Sequence, residues 1–224
     1  MAYLKWLEDG YVKKQSGKYL WWGMGVAAIG YLAYRGFIDE RLPSPLIILG
    51  GTGILIAYVH LHVKFFKKHL KFEKGYEGEM AAARELCKLP EGYLAFHDVQ
   101  LPGRHGNIDF VVVTPSHVYA VEVKNMKRHI RKSDISQAKR NALFLNRWLQ
   151  QEVGQYIIVQ PVLASVNKKI QFHSGMTDET GVVRLEDLNA FILDKSGRSY
   201  GTGLMVQVVR VLKRFTPVHE VVCD

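Results

Sequence analysis

The stretch "GNIDFVVVTPSHVYAVEVKN", Gly106 to Asn125, constrains the fold more than any other part of the chain. β-Branched and aromatic residues dominate both halves, and Thr-Pro-Ser-His divides them, which reads as two strands and a turn. With Pro115 and Ser116 as the central turn residues, proline takes the position that a type I turn favours. Antiparallel pairing then sets Thr114 opposite His117 and Asp109 opposite Glu122. Glu122 and Lys124 are two apart and share a sheet face. Opposed carboxylates lie about 5 Å apart at Cβ and repel, and an unpaired buried charge costs several kcal/mol or is forced neutral. Two arrangements resolve this. Lys124 can pair with Glu122 or Asp109 on an exposed sheet face, or a hard cation can neutralise both carboxylates. Mg²⁺, or Mn²⁺ in its place, is held by one or two carboxylates plus waters and substrate phosphates. A lysine beside it stabilises developing charge, which is the equipment of metal-assisted phosphodiester hydrolysis.

Around this hairpin the pattern is mixed α/β. "EKGYEGEMAAARELCKL" has helical spacing, and "EGYLAFHDVQLP" reads as a strand ending at Pro102. "SDISQAKRNALFLNRWLQ" is an amphipathic helix with Ser133 or Asp134 as its cap. "YIIVQPVLAS" is a buried strand, and "RLEDLNAFILDKSG" a helix closed by Gly197. "GLMVQVVRVLKRF" fits strand and helix equally. The order helix, three strands, helix, strand, helix predicts a central mixed sheet with helices on its faces.

Ahead of this domain, residues 19–38 and 43–63 are two apolar runs, interrupted near the end of the first by Arg35. About 20 helical residues span a bilayer core, and an arginine near a helix end can snorkel to the interface. Tyr19, Trp21 and Trp22 stand where aromatic rings favour headgroups. The runs predict two transmembrane helices, with residues 1–70 as a membrane anchor and 71–224 as a separate domain. Lys5, Lys13, Lys14 and Lys18 precede the first run, and Lys64, Lys67, Lys68, Lys71 and Lys74 follow the second. The positive-inside rule then puts both termini and the domain on the cytosolic side of the cytoplasmic (inner) membrane. His60 and His62, two apart on a helix, read as interfacial residues and not as ligands.

The net charge of +9 favours a polyanionic partner, nucleic acid or the anionic lipid bilayer. Lys127, Arg128, Arg131, Lys132, Lys139 and Arg140 follow Lys124 closely, so this cluster reads as a phosphate contact without sequence specificity, with DNA favoured over lipid. His105, His117 and His129 read as loop residues. The two cysteines, Cys87 and Cys223, have no metal-ligand spacing and form no disulfide framework, which points to a reducing compartment.

From Gly75 to Asp194 the chain resembles the nuclease-related domain (NERD) family, a branch of the PD-(D/E)xK nuclease superfamily. "GYEGE" carries its Gly-x-x-Gly-Glu, with Gly75, Gly78 and Glu79; "GNIDFVVV" its Gly-Asn-Ile-Asp, with Asp109. "VYAVEVKN" carries its Glu-x-Lys, with Glu122 and Lys124; "SQAKRNALFL" its following helix, with Gln137. "VQPVLAS" and "RLEDLNAFI" resemble its later strand and helix. The resemblance implies a restriction-endonuclease-like mixed sheet flanked by helices. It also implies a divalent metal held by Asp109, Glu122 and the Val123 carbonyl, with Lys124 catalytic and Glu79 and Gln137 completing the site. The expected function is therefore a membrane-tethered, metal-dependent deoxyribonuclease; the alternative is a catalytically silent module that binds nucleic acid or protein at the membrane.

Overall fold

The computed structural model describes residues 17–18, 20–25, 27–28, 30–31, 35, 45–103, 106–125, 129–167, 172–194 and 201–215. The chain divides into two compact units between Tyr76 and Glu77.

In the first unit the described residues among 17–35 are helical. They pack on helix α1, Pro45–Leu86. His62 donates from Nδ1 to the Gly23 carbonyl at 3.2 Å. A Cβ on Gly30 would meet the Tyr58 ring at 2.4 Å, so only glycine lets the ring approach. Among the described residues no helix is long and apolar enough to cross a membrane. The spans read at 19–38 and 43–63 fall partly outside those residues, and so do the side chains of residues 45–52.

The second apolar run, the lysine-rich stretch and the helix read at residues 73–89 turn out to be one helix of 42 residues. Pro45 suits a first-turn position. No proline follows until Pro90. Gly75 and Gly78 cost about 1 kcal/mol each as helix formers, too little to break it.

In the second unit a six-stranded mixed sheet has the order β1-β2-β3-β4-β6-β5. Its strands are β1 (Leu94–Val99), β2 (Ile108–Val113), β3 (Val118–Lys124), β4 (Val159–Ser165), β5 (Gly175–Thr177) and β6 (Thr180–Arg184). β1, β2 and β3 are antiparallel neighbours, while β3, β4 and β6 run parallel. Helix α2, Lys132–Val153, makes the crossover that parallel β3 and β4 require. Val111, Val113, Val118 and Ala120 face Ala142, Leu145 and Leu149 of α2 and Met205, Val208 and Leu212 of the last helix in one buried cluster. α4, Thr202–Phe215, settles the segment that read as strand or helix. Met205, Val208 and Leu212 recur at helical spacing. The end of α1 and the short helix α3 (Leu188–Leu193) meet each other, Asn189 donating to the Glu85 carbonyl at 2.6 Å.

Three expectations change. β5 and β6 form a hairpin that the sequence reading missed; its turn residues Asp178 and Glu179 have φ of 51° and 60° without the glycine or asparagine that marks such turns. The N-cap of α2 is Arg131, not Ser133 or Asp134, and Asp134 acts from within the first turn by accepting the Arg131 backbone N–H at 3.1 Å. Cys87 is disulfide-bonded, so cysteine usage no longer argues for a reducing compartment. The proposed closure at Gly197 also lies outside the described residues.

Candidate active site

The hairpin pairs as its turn dictates. Val113 pairs with Val118 and Phe110 with Val121, and Thr114 N–H bonds the His117 carbonyl at 2.9 Å. Alternation then carries Asp109, Glu122 and Lys124 onto the face that holds Val111 and Ala120, under α2. The site is the polar end of that core.

Glu122 is 2% exposed. Its Oε1 accepts from Lys124 Nζ at 2.5 Å and Gln137 Nε2 at 2.6 Å, and its Oε2 from Asn141 Nδ2 at 2.7 Å. A carboxylate only accepts, so both amides must present their NH₂ groups. Gln137 and Asn141 stand one helical turn apart on α2 and so reach the same side chain. The Lys124–Glu122 pair is therefore real, but buried and reinforced, unlike the exposed pair weighed from the sequence.

Asp109 Oδ2 accepts the Val123 N–H at 2.8 Å. Burial, then the charges of Glu122 and Glu79, hold its pKa well above the usual carboxylate value, against the Val123 hydrogen bond and Lys124. Burial pulls the Lys124 ammonium down, but Glu122, Asp109 and Asp134 outweigh it and the net shift is upward.

Glu79 comes from α1. A Cβ on Gly78 would lie 3.2 Å from Asn125, 3.5 Å from Val166 and 3.7 Å from Val123, so glycine lets the helix close on the end of β3. Glu79 Oε2 then lies 3.0 Å from His97 Nε2. Burial, Asp98 and Glu122 push Glu79 up to about 8, with Lys124 opposing. Burial pushes His97 down to about 4, with Asp98 opposing. At neutral pH the proton sits on Glu79, which donates it to a neutral imidazole.

The sequence reading missed three of these groups: His97, Asp98 and Asn141. In β1, His97 pairs with Phe110 and Val99 with Ile108, leaving Asp98 opposite Asp109 in a gap in the ladder. Asp98 has φ 52° and accepts a hydrogen bond from Asn107 Nδ2. A polar His-Asp pair inside an apolar strand was the available signal. Three carboxyl groups, Glu79, Asp109 and Glu122, thus lie within electrostatic reach of one another and of the Lys124 ammonium, and Asp98 lies within reach of Glu79. Among the described residues no three His, Cys, Asp or Glu side chains stand close enough to hold a metal ion. Glu122 is engaged by Lys124, Gln137 and Asn141, and Glu79 by His97.

Lys127, Arg128 and His105 lie outside the described residues, while Arg131, Lys132 and Arg140 are exposed. Lys139 is paired with Asp178 at 3.0 Å on the β5–β6 turn. It sits about 200° around α2 from Gln137, because each residue advances the helix by about 100°. It therefore does not join a phosphate-binding face beside the site. His117 lies at the turn, at the other end of β3 from Lys124, and His129 is exposed outside any regular element.

No curated protein and no solved structure matches the chain. Comparison with protein families finds a nuclease-related domain, NERD, at residues 74–166, a span that takes in Glu79, Asp109, Glu122, Lys124 and Gln137 and ends at Val166, short of Asp194.

Proposed function

We propose that the chain is a metal-dependent nuclease that hydrolyses phosphodiester bonds of DNA while anchored at a membrane. The observation that carries this reading is the crowding of carboxyl groups: Glu79, Asp109 and Glu122 share a largely buried corner with one lysine, and two of them have pKa values held up by burial and mutual repulsion. A dication at Asp109 and Glu122 would relieve that repulsion. Asp109 and Glu122 would hold it, with the Val123 carbonyl. Val123 N–H bonds Asp109 while the next carbonyl, that of Lys124, bonds Val166 N–H at 3.1 Å. By strand alternation the Val123 carbonyl belongs to the Asp109 edge. When bound, the ion would neutralise phosphate charge and acidify a coordinated water.

The chain's own residues do the rest. Lys124 stays charged at neutral pH, so it stabilises negative charge on phosphoryl oxygens and does not take up a proton. Gln137 and Asn141 orient Glu122, and Glu79 closes the site from α1. Arg131, Lys132 and Arg140, with Lys127 and Arg128, attract the DNA backbone. The lysines flanking the two apolar runs support an anchor with both termini and the nuclease domain in the cytosol.

The engagement of both Glu122 oxygens by protein donors favours a second reading, a silent module that binds nucleic acid. Glu122→Gln separates the two. It keeps the side chain's size but offers a hard dication a poorer ligand. The measurement is cleavage of linear DNA against Mg²⁺ concentration, beside DNA affinity without metal. The nuclease reading requires cleavage to collapse while binding persists; cleavage at the parent rate would make Glu122 structural.

A further inference from the structure

The sheet register aligns three polar residues across the C-terminal ends of three parallel strands. Lys124 of β3 pairs with Ser165 of β4, and Ser165 with Arg184 of β6. Such neighbours share a face, with strands about 4.8 Å apart. Ser165 is 3% exposed, yet its Oγ has no hydrogen-bond partner. Arg184 Nε is likewise buried and unpartnered. Both residues line one cavity of about 150 Å³.

The guanidinium is held in place from its far side. Arg184 Nη2 donates to the Phe172 carbonyl at 3.0 Å, and Cζ lies 5.8 Å from the Phe172 ring centre. Its Nε–H is thereby held in place, and both it and the Ser165 hydroxyl are buried without a hydrogen-bond partner. A buried donor left unmet is destabilising, and two in one cavity call for an occupant that accepts. Arginine and serine are side chains that hold phosphate. Glu85 and Glu186 also border the cavity, but Lys88 binds Glu85 at 2.6 Å and Glu186 lies 3.7 Å from Arg184 Nη1. Each of these carboxylates therefore has a cation beside it, which limits its repulsion of a phosphodiester.

We propose that Ser165 and Arg184 form a phosphate subsite for the same polynucleotide, next along the strand ends from Lys124. The inference rests on reading the neighbouring site as one that acts on phosphodiesters. It gives the enzyme a grip on backbone beyond the cleaved bond, contributed by β4 and β6 and not by the basic stretch after β3.

The test uses the full chain and a labelled 16-base-pair DNA duplex in metal-free buffer, with affinity measured against salt. Ser165→Ala should weaken binding about five-fold, the loss of one hydrogen bond, without changing the salt slope. Arg184→Gln should weaken it further and lower the slope by about 0.9, as for one phosphate contact on duplex DNA. Thermal melts identify any Arg184 variant that fails to fold, and Ser165→Ala then decides the matter alone. Unchanged affinity in a folded Ser165→Ala, or no duplex binding by the parent, would overturn the subsite and leave a cavity for ordered water, about 30 Å³ each. Cleavage by Glu122→Gln at the parent rate is the separate result that removes the nuclease reading.

Discussion

Glu79 and His97 form a pair whose proton has a predictable cost. Glu79 is raised from 4.5 to about 8, so the folded state binds its proton more tightly than the unfolded chain does. That contribution is complete at low pH and is lost as pH rises toward 8. His97 is lowered from 6.5 to about 4, so it favours folding as pH rises from 4 to 6.5. Between about 4.5 and 6.5 the Glu79 and His97 slopes oppose each other, and above 6.5 Glu79 is no longer opposed by His97, while the raised Asp109 slopes the same way as Glu79. Melting temperature in metal-free buffer should therefore fall from pH 6.5 to 8, and Glu79→Gln should flatten that fall. A melting curve indifferent to Glu79 would mean the carboxyl is already ionised. At this scale the sequence was only half legible. Asp109, Glu122 and Lys124 stood out as charges in apolar strands, and the turn fixed their register. Asn141 did not, because an asparagine in an amphipathic helix looks like any polar helix residue until the fold shows which stripe faces Glu122. Removing it by Asn141→Ala leaves a buried carboxylate oxygen short of a donor, and about 1–3 kcal/mol of stability should go with it in chemical denaturation.

Among the elements, α1 carries the tightest constraint near the site. At Gly78 two effects oppose each other. Alanine gains about 1 kcal/mol of helix propensity, but its Cβ is squeezed to 3.2 Å from Asn125. Gly78→Ala should be close to neutral in thermal melting. Gly78→Leu should lose about 1–3 kcal/mol, the usual cost of overpacking, together with the Glu79–His97 contact. Equal stability for both variants would show that α1 closes less tightly on β3. The long elements were readable because periodicity accumulates over many residues. β5 and β6, of three and five residues, were too short for that. Lys139 was misplaced because nearness in sequence says nothing about which side of a helix a residue occupies.

For the chain as a whole, charge and hydropathy are segregated along the sequence, and that segregation was legible before any fold was. The expected topology puts the short connection at residues 36–45 outside and both termini inside. Single cysteines at positions 5 and 40, in a background of Cys87→Ser and Cys223→Ser, report it by labelling from outside intact cells. Position 40 should react and position 5 should be protected; the reverse pattern would turn the anchor over and expose the nuclease domain to the other side. What the sequence hid was the join. No breaker separates the apolar run from the first helix of the domain, so composition changes where α1 does not.

Asn141 and Gln137 grip one carboxylate from successive turns of α2. One residue inserted between them would turn everything downstream by about 100°. Asn141 would swing off Glu122, and Ala142, Leu145 and Leu149 would leave the core in the same movement. Point changes along the outer stripe of α2 disturb neither, so descendants of this chain are free to vary in spelling there but not in length. Insertions and deletions are expected instead just past Val153, where Gly154 ends the helix with φ 74° and nothing lies within 4 Å of a Cβ built there.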